Sequence, residues 1–306
     1  MSFTSVVKNE ISKHEFNEAG NISLLSAFIS NSIFDDNHIK ISTENASVAR
    51  YIYNLVKELY NLHPKVTVRK GYNYNKKFLY IIEINNKVDV ILKDVGLESG
   101  NIPKSFVIDD TEIKRYYLKG VFLLSGSIND PKTSRYHLEF VVDDNEYASF
   151  LSDLLNSFNL NSKYLKHENK YMVYVKEAEK IGDFLRIINA TSALFYFEDI
   201  RIYRDHKNMT NRLNNCEQAN VDKMIESANR ELKDIDLIES IGGLDLLDEK
   251  VKEVAIYRKK YPEVSLQELS EIISIETGNN ITKSGLHHRL RKIKDLADKI
   301  RNKDNS

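Results

Sequence analysis

Between residues 21 and 190 one order of apolar patterns occurs twice, and a duplicated pattern restricts the fold more than any single motif does. In the first copy an apolar helix near Ser23 to Ile33 precedes a strand at His38 to Ser42. A helix from Ala46 to Leu62 follows, then strands Lys65 to Lys70 and Phe78 to Ile84 joined by the turn-rich GYNYNKK. In the second copy a helix from Ile113 to Ser125 leads to a strand at Tyr136 to Val142 and a helix from Glu146 to Phe158. Strands Ser162 to Lys166 and Tyr171 to Lys176 flank HENK, and a helix runs on through Ile188. The order αβαββα is predicted twice. Alternation at Tyr136, Leu138, Phe140 and at Tyr171, Val173, Val175 gives a sheet one buried face, so the class is α+β with internal pseudo-symmetry.

The last stretch, Ile281 to Asn302, has a different period. Leu286, Leu290, Ile293, Ala297 and Ile300 fall on one helical stripe, which must pack against something. The opposite side carries Ser284, His288 and Arg291, flanked by His287 and Lys292. From Lys283 to Lys303 eight Lys or Arg stand against two Asp, a balance of +6 in a chain of net −1, which leaves −7 elsewhere. Upstream, Leu247, Val251, Val254, Ala255 and Tyr261 give a helical stripe ended by Pro262. Ser265 and Glu268 form a capping box for a second helix with apolar Leu266, Leu269, Ile272 and Ile273, and Thr282 is placed to cap the third. Helix, short helix, connection and basic amphipathic helix is the helix-turn-helix plan, whose last helix enters the DNA major groove. Ser284, His287, His288 and Arg291 are then the candidates for base edges, and Lys283, Arg289 and Lys292 for phosphates.

At 306 residues, 42% hydrophobic and 29% charged, the chain is long enough for two ordinary domains with sizeable cores. It has no apolar run of the roughly 18 residues needed to cross a bilayer. Its start, MSFTSVVKNEISKHEF, has acids and no apolar signal core, so a cytoplasmic protein is expected. One cysteine, Cys216, rules out an intramolecular disulfide and a cysteine-cluster zinc site; it has no base beside it and reads as a packing residue.

Leu118 to Asp130, LKGVFLLSGSIND, resembles the LAGLIDADG helix of homing endonucleases, with Leu118, Gly120 and Gly126 at motif positions and LSAFISNSI, from Leu25 to Ile33, as a fainter first copy. Gly120, Ser125 and Gly126 are small enough to let two helix backbones approach. The resemblance implies a metal-holding acid just before the final glycine. Here that residue is Ser125, with Ser32 as its counterpart, and a serine hydroxyl does not replace a carboxylate on a hard cation. Asp35, Asp36 and Asp130 lie nearby, but DD and NDP are turn-forming sequences. No catalytic, metal or cofactor residue is therefore expected.

Arg204 to Ile238 reads as a long connecting helix or two helices, with an Asn-rich run, NMTNRLNNCEQAN, and with Gly242 and Gly243 as a joint after it. The opening SFTSVVKNEIS, YLKGVFLLSGSINDP with YHLEF, the connector NRLNNCEQAN and the ending TKSGLHHRLRKI together resemble the WhiA family of bacterial regulators across nearly the whole chain. This sequence departs from the family in the first copy, where the usual small residues and glycine near Asn31 to Ile33 are replaced. The resemblance implies a degenerate LAGLIDADG-like domain without nuclease activity (residues 1–203), a helical linker (204–241) and a helix-turn-helix domain (242–306). It also implies a non-enzymatic, nucleoid-associated DNA-binding regulator of cell division, chromosome segregation or sporulation. The expected partners are double-stranded DNA and the transcription machinery or other regulators, with no membrane, and the expected state is a monomer. Two rivals come from other classes: a metal-dependent LAGLIDADG endonuclease, and a protein-interaction scaffold at the chromosome.

Overall fold

In a computed structural model of the protein, which describes residues 2–13, 17–70, 78–133 and 135–304, the chain divides into two compact units, Met1–Asp205 and His206–Ser306. The first unit opens with a helix the sequence did not announce, α1 (Phe3–Ile11), capped by the Ser2 hydroxyl and burying Phe3, Val7 and Ile11. Two halves of one design follow. The first contains α2 (Glu18–Ser30), β1 (Ile33–Asp35), β2 (His38–Thr43), α3 (Ala46–Tyr60), β3 (Lys65–Lys70), β4 (Phe78–Ile84) and α4 (Val88–Asp94). The second contains α5 (Thr111–Ser125), β5 (Gly126–Ile128), β6 (Leu138–Val142), α6 (Asn145–Asn156), β7 (Lys163–His167), β8 (Lys170–Val175) and α7 (Ala178–Ile187). The turn expected at GYNYNKK lies outside the described residues.

Each half is therefore αββαββα rather than the expected αβαββα. The added strands, β1 and β5, have three residues each, too few to show an alternation of period two. The expected helix to Ile33 stops at Ser30. There the Asn31 amide donates to the Ala27 carbonyl at 2.8 Å and the Ser32 hydroxyl to the Phe28 carbonyl at 2.7 Å, satisfying the last carbonyls of α2 from the side.

Both sheets are antiparallel, in the orders β1-β2-β4-β3 and β5-β6-β8-β7. Ile39 and Ile41 face Ile84 and Ile82 across the first pair, while Leu138 and Phe140 face Val175 and Val173 across the second. All eight are buried. The same caps recur in both halves: Asn45 accepts from the Ser47 and Val48 amides to start α3, and Asp144 accepts from the Tyr147 amide to start α6. Helices α2 and α5 pack directly on one another. A Cβ on Gly120 would stand 2.7 Å from the Ala27 Cβ, and one on Gly20 would stand 2.8 Å from the Tyr116 ring, so glycine lets the two backbones meet at these points.

The segment expected to be one or two connecting helices is a single helix, α8 (Thr191–Gly242), 52 residues long. Its last turns join the core of the second unit, where Ile235 and Ile238 are fully buried with Val254, Ala255, Leu269, Ile273, Leu286 and Ala297. Gly243, at φ +74° and ψ 171°, takes an extended positive-φ conformation open essentially to glycine alone, and the helix ends there.

Candidate nucleic-acid interface

Three helices follow α8 in the second unit: α9 (Glu249–Lys260), α10 (Leu266–Thr277) and α11 (Lys283–Asp304). Arg258 fixes how α9 meets its neighbours. Only 1% exposed, it donates from Nε to Glu231 of α8 at 2.8 Å and from a terminal nitrogen to the Val264 carbonyl at 2.8 Å. The capping box at Ser265 is present, with the Glu268 amide donating to the Ser265 hydroxyl at 3.2 Å and the Ser265 amide to the Glu268 carboxylate at 2.8 Å. Donation from the Ser265 amide, and next from its hydroxyl, holds the Glu268 carboxyl below its usual range.

Gly278, in the left-handed region at φ +73°, ends α10 and turns the chain toward α11. The turn is pinned by Ser274, whose hydroxyl donates to the Ser270 carbonyl at 2.7 Å and accepts from the Ile281 amide at 3.0 Å. Thr282 caps α11 by accepting from the Gly285 amide at 3.1 Å. The expected apolar stripe is the buried one. Leu286, Leu290, Ile293 and Ala297 are buried and Ile300 packs against them, each large side chain being worth roughly 1.5 to 3 kcal/mol of burial.

That stripe fixes what the other side of α11 presents. Lys283, Ser284, His287, His288, Arg291 and Lys292 are exposed. The side chains of Ser284, His287, His288 and Arg291 have no hydrogen bond or ion pair to another described residue, which leaves their donors open. Two of the flanking cations turn back toward α9. Arg289, half-buried, lies 3.8 Å from the Glu253 carboxylate and 3.5 Å from the Lys250 carbonyl, and the Lys292 ammonium lies 3.9 Å from Asp248. The start of α11 also borders an open recess against α10, lined by Gln267, Ser274, Ile275, Asn280, Lys283 and Ser284. Gln267 and Asn280 carry no signal of their own in the sequence. Only the helix-turn-helix order, which sets the second helix and the turn beside the start of the third, points to them.

At the other place where the sequence raised chemistry, the feet of α2 and α5, Ser32 and Ser125 flank a polar recess of about 270 Å³. Their hydroxyls are committed to the helix backbone: Ser32 donates to Phe28 at 2.7 Å and Ser125 to Val121 at 3.0 Å. Behind them Asn31 donates to the Tyr147 hydroxyl at 2.7 Å, and the Tyr117 hydroxyl lies 3.0 Å from that of Tyr147 and 3.2 Å from that of Ser30. Burial pushes the Tyr147 phenol up to about 12, so it stays neutral. Asp143 lines the recess, paired with Lys170 at 2.9 Å. A divalent cation does not fit this donor set, which offers neutral hydroxyls and a single carboxylate, itself paired with a lysine. Among the described residues no group of three or more His, Cys, Asp or Glu is placed to hold a metal ion. Asp35 and Asp130 instead close turns, accepting from the Asn37 and Lys132 amides at 2.9 Å each.

Duplicated αββαββα halves around a close helix pair, followed by a helix-turn-helix unit with an open basic helix, define a LAGLIDADG-like protein joined to a helix-turn-helix. Residues 26–98, 114–207 and 210–297 match the family models for the WhiA N-terminal LAGLIDADG-like domain, the WhiA LAGLIDADG-like domain and the WhiA C-terminal HTH domain. The chain belongs to the WhiA family. It is 42% identical over 313 residues to the probable cell division protein WhiA of Exiguobacterium sibiricum, across 99% of this chain and 98% of that one. It is 43% identical over 314 residues to the protein of that name from Staphylococcus epidermidis, with the same coverage. The crystal structure of full-length DUF199/WhiA from Thermatoga maritima is similar at a TM-score of 0.59 and 26% identity, over 98% of this chain and 99% of that one. No helix of the described residues is long and apolar enough to cross a membrane.

Proposed function

We propose that the protein is a sequence-preferring, non-enzymatic DNA-binding regulator that works on the nucleoid in the cytoplasm, in the control of cell division, chromosome segregation or sporulation. The observation that carries this is the surface of α11, where open donors at Ser284, His287, His288 and Arg291 stand on a helix whose opposite stripe is locked into the core. In this role those four side chains meet base edges near the start of the helix, Arg291 pairing with a guanine, while Lys283, Arg289 and Lys292 meet phosphates. Arg289 and Lys292 reach them by exchanging their carboxylate neighbours, Glu253 on α9 and Asp248 just before it, for the backbone of DNA. The protein acts as a monomer on double-stranded DNA, alongside transcription machinery or other regulators. The endonuclease alternative is disfavoured by the donor set at the feet of α2 and α5.

The test is to recover fragments crosslinked to the protein on its own genome and compare variants on them. Arg291→Ala should cost about 1 to 3 kcal/mol of affinity and relax preference at one base pair, while Lys292→Ala should weaken all sequences alike. Wild-type affinity and preference in Arg291→Ala would remove α11 from the interface.

A further inference from the structure

The Asn-rich run of α8 has a geometry that the helix-turn-helix does not use. At about 100° per residue, Lys207, Asn208, Asn211, Asn214, Asn215 and Gln218 fall within one arc of about 120°, and no other residue of 206–218 shares it. The arc contains amides and one ammonium and no carboxylate. Met209, Leu213 and Cys216 lie on the opposite side, and the flanks carry Arg212 and Glu217. Every residue from 207 to 218 is exposed. Gln218 bonds to Asp222 at 2.9 Å, but Asn208, Asn211, Asn214 and Asn215 have no side-chain hydrogen bond to any described residue.

Helix stability does not account for this choice. Asn is a poor helix former, and a solvated helical face is better built from Glu, Lys and Arg in pairs four residues apart. The amide has another property: it donates and accepts at once, which suits phosphate oxygens and the edge of adenine. Twelve helical residues span about 18 Å, roughly five base-pair steps, and an α-helix fits the major groove.

Building on the DNA-binding role proposed above, we infer that residues 207–218 of α8 form a second contact face for duplex DNA, with Asn208, Asn211, Asn214 and Asn215 as its hydrogen-bonding groups. Because these groups are neutral they release no counterions. Their loss lowers affinity without changing the slope of log K against log salt, whereas loss of a phosphate-binding cation reduces that slope by about one.

The experiment uses the full chain, a fluorescein-labelled pool of 40-base-pair duplexes of mixed sequence, and anisotropy at several salt concentrations. The variant N208A/N211A/N214A/N215A should bind at least tenfold more weakly with an unchanged salt slope and an equal or higher Tm, since alanine favours the helix. Asn211→Asp, which places a carboxylate of the same size on the face, should by itself weaken binding. Wild-type affinity in the quadruple variant, with Arg291→Ala weakened, would overturn the α8 assignment while leaving α11 in place and would give the face to a protein partner. A loss of affinity together with a lowered Tm would also overturn it, by making the amides structural. Weak binding by the quadruple variant beside wild-type binding by Arg291→Ala would support α8 and refute the role of α11.

Discussion

Gly120 of α5 and Ala27 of α2 meet so closely that a Cβ on the glycine would stand 2.7 Å from the alanine Cβ and 2.8 Å from the Leu24 carbonyl oxygen. The carbonyl belongs to a helix backbone and cannot rotate away, so added volume here must separate the helices. Gly120→Ala is expected to destabilise the protein by about 1 to 3 kcal/mol, measured by urea unfolding. Adding Ala27→Gly should return part of the loss, because the two sites touch. A Gly120→Ala protein as stable as wild type would show that the pair is not held at this distance.

The second unit should fold and bind DNA alone, but only with its share of α8. Ile235 and Ile238 are fully buried in its core, and Glu231 and Asp234 receive Arg258 and Arg301. A chain of residues 206–306 is expected to unfold cooperatively and to bind the crosslinked fragments, whereas residues 244–306 should melt broadly and bind poorly. Residues 1–205 binding as tightly as the full chain at the same salt would move the DNA site to the other unit.

Lys8 of α1 is a half-buried cation, 3.4 Å from the Leu124 carbonyl and 5.6 Å from the centre of the Phe122 ring. Burial lowers its pKa from 10.5 to about 8, against a smaller opposing pull from Glu44. Between those two values the unfolded chain keeps a proton that the folded chain has released, so this group makes stability rise with pH across that window. Below about 8 both states are charged and the cost of burying the ammonium is felt in full. Lys8→Met should therefore raise Tm at pH 7, with an advantage that shrinks by pH 9.5. An equal advantage at both pH values would show that packing, not charge, is responsible.

Purified protein incubated with supercoiled plasmid and Mg²⁺ or Mn²⁺ is expected to leave it intact, since the neutral hydroxyls of Ser32 and Ser125, and not carboxylates, stand at the helix feet. Nicking that followed the protein through purification and disappeared in Asp130→Asn would restore the endonuclease alternative.

What the sequence determined by itself was local and periodic. The strands Lys65–Lys70 and Phe78–Ile84, the Ser265–Glu268 capping box and the buried and open faces of α11 each follow from side chains a few positions apart, where period and capping chemistry fix the outcome. The tertiary structure decided what such spacing does not encode. It formed β1 and β5, whose three residues gain order only by pairing with β2 and β6. It drew Ile235 and Ile238 into the core of the helix-turn-helix unit, and it turned Arg289 toward Glu253 while leaving Arg291 open. It also brought Asn31 to Tyr147, 116 residues away, beside the two serines. A helical or strand period tells a side chain which face to take. Which partner waits on that face is settled only when distant elements pack, because burial rewards whatever apolar or hydrogen-bonding surface the rest of the chain supplies.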